Sequence, residues 1–318
     1  SRTVGKDLLY MTVLNSKLQS DTELFQKQTL WLKQDLRRHQ DDAFKIAAWC
    51  TPIGPHTESK ARNDHLMKSW GGLFYEYGLS VGCTDDCHQY AITAPIRPDS
   101  TARSFKGFSI DYERGTIYLG GSGCGDPQAK HEVYNPWLLD SGSFEKLTWM
   151  HVYPSEGGQD PYIEIRTVVT GVRNEEGAIV SCTDDIVPNP DNDPLSIPRG
   201  IVLRTIPGLG DVVRYPMDPL EGEPPSRPII SWGRPVGADS VAFSWRLPGG
   251  TARAVQIERR IGPSGEWQVI ENNYPADLSV YNEKGVESQY NYLYRLRAYN
   301  AFGFSDYSVI IEFNPPEE

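Results

Sequence analysis

With 318 residues the chain is long enough for two domains, or for one large and one small. Its 31 basic and 42 acidic residues leave a formal net charge of −11, which argues against a surface built for a phosphate backbone or for anionic lipid. Hydrophobic residues make up a modest 39%, yet 17 Tyr and 8 Trp are enough to fill cores, so a disordered chain is excluded.

The chain opens Ser-Arg-Thr-Val with neither an initiator Met nor a signal-peptide pattern, which predicts a processed or partly represented polypeptide. Its longest apolar runs, such as Gly200–Leu203, fall far short of a bilayer span. Leu8–Leu14 reads as a buried strand. Ser20–Gln40 has helical spacing, with Leu24, Gln28, Trp31, Leu32, Asp35 and Leu36 at i, i+3, i+4 steps and Ser20 or Asp21 as the cap. Phe44–Cys50 is predicted as a strand and Asn63–Tyr77 as a second helix, weakened in its middle by Gly71 and Gly72. Leu79–Gly82, Gln89–Thr93, Phe105–Tyr112 and Gly115–Leu119 read as short strands. Helix alternating with strand, then giving way to consecutive strands, predicts an α/β or α+β layer with one sheet-rich end.

Composition then shifts. Between Asp184 and Pro228, 10 of 45 residues are proline, so residues 184–226 read as an extended connector. Within it Gly200–Ile206 and Asp211–Tyr215 have strand-like composition. A strand there either joins the edge of its own domain or pairs with another subunit. From Arg227 the pattern is all-β, with strands predicted at Ile229–Trp232, Ser240–Arg246, Ala254–Ile261, Trp267–Glu271, Ser279–Tyr281, Gln289–Asn300 and Ser308–Phe313. Seven short strands in this span predict an immunoglobulin-like sandwich.

The run Tyr292-Leu293-Tyr294-Arg295-Leu296-Arg297-Ala298-Tyr299-Asn300, followed by Gly303 and Ser305, resembles the late-strand signature of fibronectin type III domains. The resemblance implies such a domain over 227–316, with Trp245 as its core tryptophan. It also implies Tyr292 as a corner tyrosine bonding to backbone upstream.

Residues 1–183 carry a second resemblance. Gln28-Thr29-Leu30-Trp31-Leu32-Lys33-Gln34-Asp35-Leu36 is similar to the Gln-x-x-Trp-Leu-x-x-Asp-Leu helix of metallophosphoesterases of the purple acid phosphatase, calcineurin-like type. Ala48-Trp49-Cys50-Thr51-Pro52 stands where that family has a strand ending in His-x-Pro. Asp85-Asp86-Cys87-His88-Gln89-Tyr90-Ala91-Ile92-Thr93-Ala94-Pro95 stands where it has Gly-His-x-His-x-Tyr-Glu-Arg-Thr-x-Pro. Gly115-Thr116-Ile117-Tyr118-Leu119-Gly120-Gly121-Ser122-Gly123 matches its Gly-Thr-x-Tyr strand and glycine-rich loop. The resemblance implies the C-terminal part of the family's domain, a β-sandwich flanked by helices.

The family's chemistry uses two metals, of the Fe, Zn or Mn kind, that bridge a hydroxide and clamp phosphoryl oxygens. Here Cys50 replaces the His of His-x-Pro, Asp86 replaces the first His of the pair, and His88 is retained. Ala91-Ile92 replaces Glu-Arg; the Gly-Asp-x-x-Asp and Gly-Asn-His motifs of the family's first half do not occur, and the one Asp-x-His in the sequence is Asp86-Cys87-His88 itself. A two-metal site would need residues outside this chain. Asp86 and His88, two apart on an extended segment, point the same way, and with a Cys50 thiolate they form a donor set acceptable to one zinc ion. A solvated loop with a locally bonded His88 is the plainer expectation.

Other motifs say less. His56 and His65 are nine apart and His131 and His151 twenty, which is not metal-ligand spacing. The Gly120–Gly125 run lacks the lysine of a phosphate-binding loop, and Ser122 lacks the Gly-x-Ser-x-Gly setting of a nucleophile. Asp184, Asp185, Asp191, Asn192 and Asp193 offer oxygen ligands for calcium but without EF-hand spacing. Five cysteines, Cys50, Cys83, Cys87, Cys124 and Cys182, leave an odd thiol.

Three functions are compatible with these features. The first is a non-catalytic structural or interaction protein derived from a metallophosphoesterase, assembling with itself or other subunits through its connector strand and fibronectin-like domain. The second is the C-terminal part of an active phosphomonoesterase. The third is a small-ligand binding module with its pocket near Asp86–Tyr90. Both resemblances imply an extracellular, periplasmic or cell-surface setting. Neither nucleic acid nor a membrane span is expected.

Overall fold

A computed structural model describes residues 1–54, 63–101, 104–121, 135–142, 144–173, 179–181, 201–206, 209–236, 239–287, 289–300 and 302–313. The chain divides into two units, Ser1–Val133 with Trp137–Pro219, and Tyr134–Pro136 with Leu220–Glu318.

The first unit begins with β1 (Arg2–Val4), β2 (Leu9–Val13), α1 (Thr22–Arg38) and β3 (Phe44–Ala48). A helical stretch follows as α2 (Asp64–Leu66), one π-helical turn over Met67–Gly71, and α3 (Gly72–Tyr77). Next come β4 (Val81–Thr84), β5 (Tyr90–Thr93), β6 (Ile96–Pro98), β7 (Phe108–Ile110), β8 (Ile117–Gly120) and β9 (Leu138–Gly142). Among the described residues they form a seven-stranded sheet of order β1-β2-β3-β4-β8-β5-β9, with β6 and β7 as a separate hairpin. Strands β2, β3, β4 and β8 run parallel. Their carboxyl ends therefore share one edge.

Helices cover one face of that sheet. The Asp21 carboxylate caps α1 by accepting from the Leu24 N–H, and Arg37 and Arg38 sit in the last turn, where the helix dipole favours cations. The buried stripe is Phe25, Leu32, Asp35 and Leu36, while Leu24 and Trp31 are exposed. Leu32, Asp35 and Leu36 are buried as expected from sequence, whereas at the start of the helix Phe25 takes the buried position in place of Leu24. Phe25 stacks on Trp70 at 5.3 Å, and Trp49 packs on Phe74 at 5.1 Å. Burying each such side chain contributes about 1.5–3 kcal/mol. The helix expected over Asn63–Tyr77 is present, and its π turn ends at Gly71, just before Gly72. Gly82 is needed on this face, because a β-carbon there would lie 2.7 Å from the Trp49 indole.

A second sheet lies on the opposite face. It consists of β10 (Glu145–Tyr153), β11 (Tyr162–Arg173), β12 (Ile179–Ser181), β13 (Val202–Leu203) and β14 (Val213–Tyr215). Strand β10 pairs along one side of β11, and β12, β13 and β14 pair along the other. Phe44 meets Tyr215 edge-on at 6.3 Å, and Tyr90 meets Phe144 at 4.9 Å, joining the two sheets. Both strand-like segments of the expected connector are thus used inside this unit. Their extended, β-branched residues satisfy their backbone on β11. Arg204 fixes the segment further, donating from Nε and Nη2 to the Asp140 carboxylate at 2.8 and 3.2 Å.

Beside β6 and β7, the Asp99 carboxyl is held down at about 2, first by the Ser109 hydroxyl and then by Thr101, with Arg97 adding to them. Its unfolded value is 3.8, so ionised Asp99 favours the folded state above that pH and loses its contribution as pH falls toward 2. Ser109→Ala is expected to destabilise the protein at neutral pH. Denaturant melts of the two proteins should draw together as pH falls through about 2 and converge below it, where Asp99 is protonated in the folded state as well.

The second unit contains β15 (Ile229–Pro235), β16 (Ser240–Arg246), β17 (Ala254–Ile261), β18 (Gln268–Pro275), β19 (Val280–Lys284), β20 (Tyr292–Asn300), β21 (Gly303–Phe304) and β22 (Ile311–Phe313). One sheet has the order β15-β16-β19; the other has β18-β17-β20-β21, with β22 also on β20. Alternating residues of both sheets, among them Val241, Phe243, Trp245, Val255, Ile257, Tyr294, Leu296 and Phe313, form one core. Expected and observed strands agree except at the ends. The last ladder starts at Ile311 rather than Ser308, because Ser305 and Ser308 hold the preceding segment by side chain. The Ser305 and Ser308 N–H groups donate to the Ala298 and Leu296 carbonyls of β20, and their hydroxyls accept the N–H groups of the same two residues.

Candidate functional site: the carboxyl edge of the parallel strands

Open α/β sheets bind ligands outside the carboxyl ends of their strands. Here that edge brings together the segments after β2, β3, β4 and β8, which contain Lys17, Cys50, Asp85–His88 and Gly121. The first segment is a 3-10 turn over Ser16–Ser20, capped by the Asn15 side chain, which accepts from the Lys17 N–H at 3.0 Å. Gln28 of α1 clamps Asn15 from both sides, accepting from its N–H at 2.9 Å and donating to its carbonyl at 3.0 Å. Asp35, on the same helix, accepts from the buried Tyr10 hydroxyl at 2.8 Å. Two polar residues of the sequence motif therefore position β2 and its following turn.

The segments are stitched to one another. The Thr51 N–H donates to the Ser16 hydroxyl at 2.9 Å. Both Asp85 and Asp86 donate backbone N–H groups to the Cys50 carbonyl, at 3.2 and 3.1 Å. His88, with φ +50°, makes the turn back toward β5, and its N–H reaches the Asp85 carbonyl at 3.1 Å. Gly121 donates to the Thr84 carbonyl at 2.6 Å, and a β-carbon there would lie 2.7 Å from an Asp85 carboxylate oxygen. That close approach requires glycine.

Of the three residues proposed as ligands, Cys50 and Asp86 are brought together. The exposed Cys50 thiol donates to Asp86 Oδ1 across 3.8 Å, and the Lys17 ammonium meets the same oxygen at 3.3 Å. Among the described residues no three His, Cys, Asp or Glu side chains converge as a set able to hold a metal ion. The donor set therefore does not fit a bound metal: one carboxylate oxygen already takes an ammonium and a thiol. Lys17 was not singled out by motif, since only the fold carries it to Asp86. Ala91 and Ile92 are buried in the sheet.

The surroundings are apolar and tight. A cavity of about 20 Å³ lies beside Pro52, Thr84, Ala91, Phe108, Tyr118 and Trp137, room for about one water molecule. Burial raises the pKa of Tyr90 and Tyr118, so both phenols stay neutral. Burial also lifts the Cys83 thiol to about 11, despite the Lys146 ammonium nearby. Cys83 is thus unreactive at neutral pH.

The remaining candidates are dispersed. His65 packs its ring on Phe25 at 4.5 Å, and His151 accepts from the Trp149 indole N–H. His56, His131, Ser122, Cys124, Cys182 and the Asp184–Asp193 cluster lie outside the described residues. No described helix is long and apolar enough to cross a membrane.

In the second unit Trp245 lies in the core, 2% exposed, and the Tyr292 hydroxyl accepts from the Glu287 N–H at 3.0 Å, five residues upstream. Two packed antiparallel sheets closed by that tyrosine corner decide the fold. The C-terminal unit is a fibronectin type III-like β-sandwich. No protein-family model matches the chain, and no curated protein matches it. Among solved structures it is similar to a myokine, at 21% identity over 29% of this chain and 99% of that one, with a TM-score of 0.26. It is also similar to the FN5 domain of Drosophila Lar, at 21% identity over 30% and 99%, TM-score 0.25. The sixth fibronectin type III domain of human fibronectin type III domain containing protein 3 is 18% identical over 31% and 92%, TM-score 0.26.

Proposed function

We propose that this chain is a non-catalytic structural or interaction protein of the extracellular or periplasmic space. Its first unit derives from a metallophosphoesterase, and its fibronectin type III-like unit serves contact with protein partners. The observation that carries this reading is the carboxyl edge of the parallel strands. There Lys17, Cys50 and Asp86 engage one another, and apolar Ala91 and Ile92 stand where charged groups would serve phosphoryl chemistry.

The deciding measurement is the metal content of the purified native protein by plasma mass spectrometry, run with p-nitrophenyl phosphate hydrolysis. Substoichiometric metal and no turnover are expected, in wild type and in His88→Ala alike. About two Fe, Zn or Mn per chain, with hydrolysis that His88→Ala abolishes, would establish the phosphomonoesterase alternative instead.

A further inference from the structure

The edge just described does hold a cation, supplied by the chain itself. We propose that the Lys17 ammonium is the fixed counter-cation of this edge, filling the role of a metal ion and keeping divalent metals out. The inference deepens the non-catalytic reading and rests on it. Three observations carry it. The ammonium is placed by a rigid path, because the Asn15 cap and the Gln28 clamp fix the backbone from which Lys17 extends. It meets Asp86 on Oδ1, the oxygen that also accepts from the Cys50 thiol. Cys50 and Asp86 are two members of the expected donor set, and the fold brings them into contact.

The chemistry then follows from charge and contact. A metal would need both Cys50 and Asp86 as ligands, whereas here the two are already engaged with each other at Asp86 Oδ1. A divalent ion would have to displace the ammonium or sit against a like charge. The Lys17 side chain is 63% exposed, so its ion pair is solvent-screened and adds little to folding. Removing it should change what binds and leave the fold intact.

Cadmium titration, followed by the ultraviolet thiolate-to-metal band, tests this in the full chain. Wild type, Lys17→Ala, Lys17→Met and the Lys17→Ala/Cys50→Ser double variant are compared, with circular dichroism to verify folding. Wild type is expected to show no Cys50-dependent band at millimolar cadmium. Lys17→Ala and Lys17→Met should gain one, and the double variant should lose it. An equal Cys50-dependent band in wild type would overturn the inference, and so would folded Lys17 variants that stay silent. A silent Lys17→Ala leaves the non-catalytic reading standing, whereas only metal in the native protein removes that reading.

Discussion

Replacing Trp245 with Ala is expected to lower the stability of the C-terminal sandwich by about 3–5 kcal/mol, the usual cost of emptying a large aromatic from a core. The indole lies between two sheets, against Phe243 at 6.0 Å and edge-on to Tyr274 at 5.5 Å. Its backbone N–H is bonded to the Ser279 carbonyl, so the strand has no independent slack with which to close the void. Chemical denaturation followed by circular dichroism provides the check. A midpoint equal to wild type would show that Trp245 does not fill the core.

Arg204→Ala should have the next largest effect, about 2–4 kcal/mol on the first unit, because it leaves the Asp140 carboxylate largely buried without its cation. The guanidinium also covers the Phe144 ring at 5.2 Å, so packing is lost along with charge. Arg204→Lys keeps the charge but not the two-pronged contact, and should fall between. Limited thermolysin digestion is a second readout. Cleavage near Val202–Leu203 should accelerate in Arg204→Ala, since the anchor that holds β13 beside β11 is gone. Digestion at the wild-type rate would mean that strand pairing alone holds the segment.

Much of this architecture is legible from spacing. The Asp21 cap, the α1 stripe, the strands around Cys50 and nearly every strand of the sandwich follow from periodicity and turn residues. The second sheet of the first unit was not predicted, and β10 shows why. Its inward positions include Lys146, 8% exposed, whereas the outward Leu147 is 50% exposed. Alternation read as apolar-in would place this strand backwards. Lys146 is accepted inside because its ammonium donates to Thr148 and lies over the Tyr90 ring. That context comes from strands far away in sequence.

The carboxyl edge was legible by half. Motif comparison located Cys50, Asp86 and His88, but spacing could not reveal that Lys17, from the turn after β2, would occupy the carboxylate. Strand composition did flag Gly200–Ile206 and Asp211–Tyr215 inside the proline-rich stretch, but not that both would pair with β11. Proline density marks where a ladder is interrupted, and β13 and β14 are only two and three residues long.

The serines at the end of the sandwich bear on how such modules avoid sticking to one another. A strand edge with open N–H and C=O groups templates the addition of a foreign strand. Between its pairings with β21 and β22, β20 would present such a stretch at Leu296 and Ala298. Ser308 and Ser305 occupy the N–H and C=O groups of both residues. The module can therefore sit at high local concentration, or in tandem with copies of itself, without growing into a shared sheet along this margin.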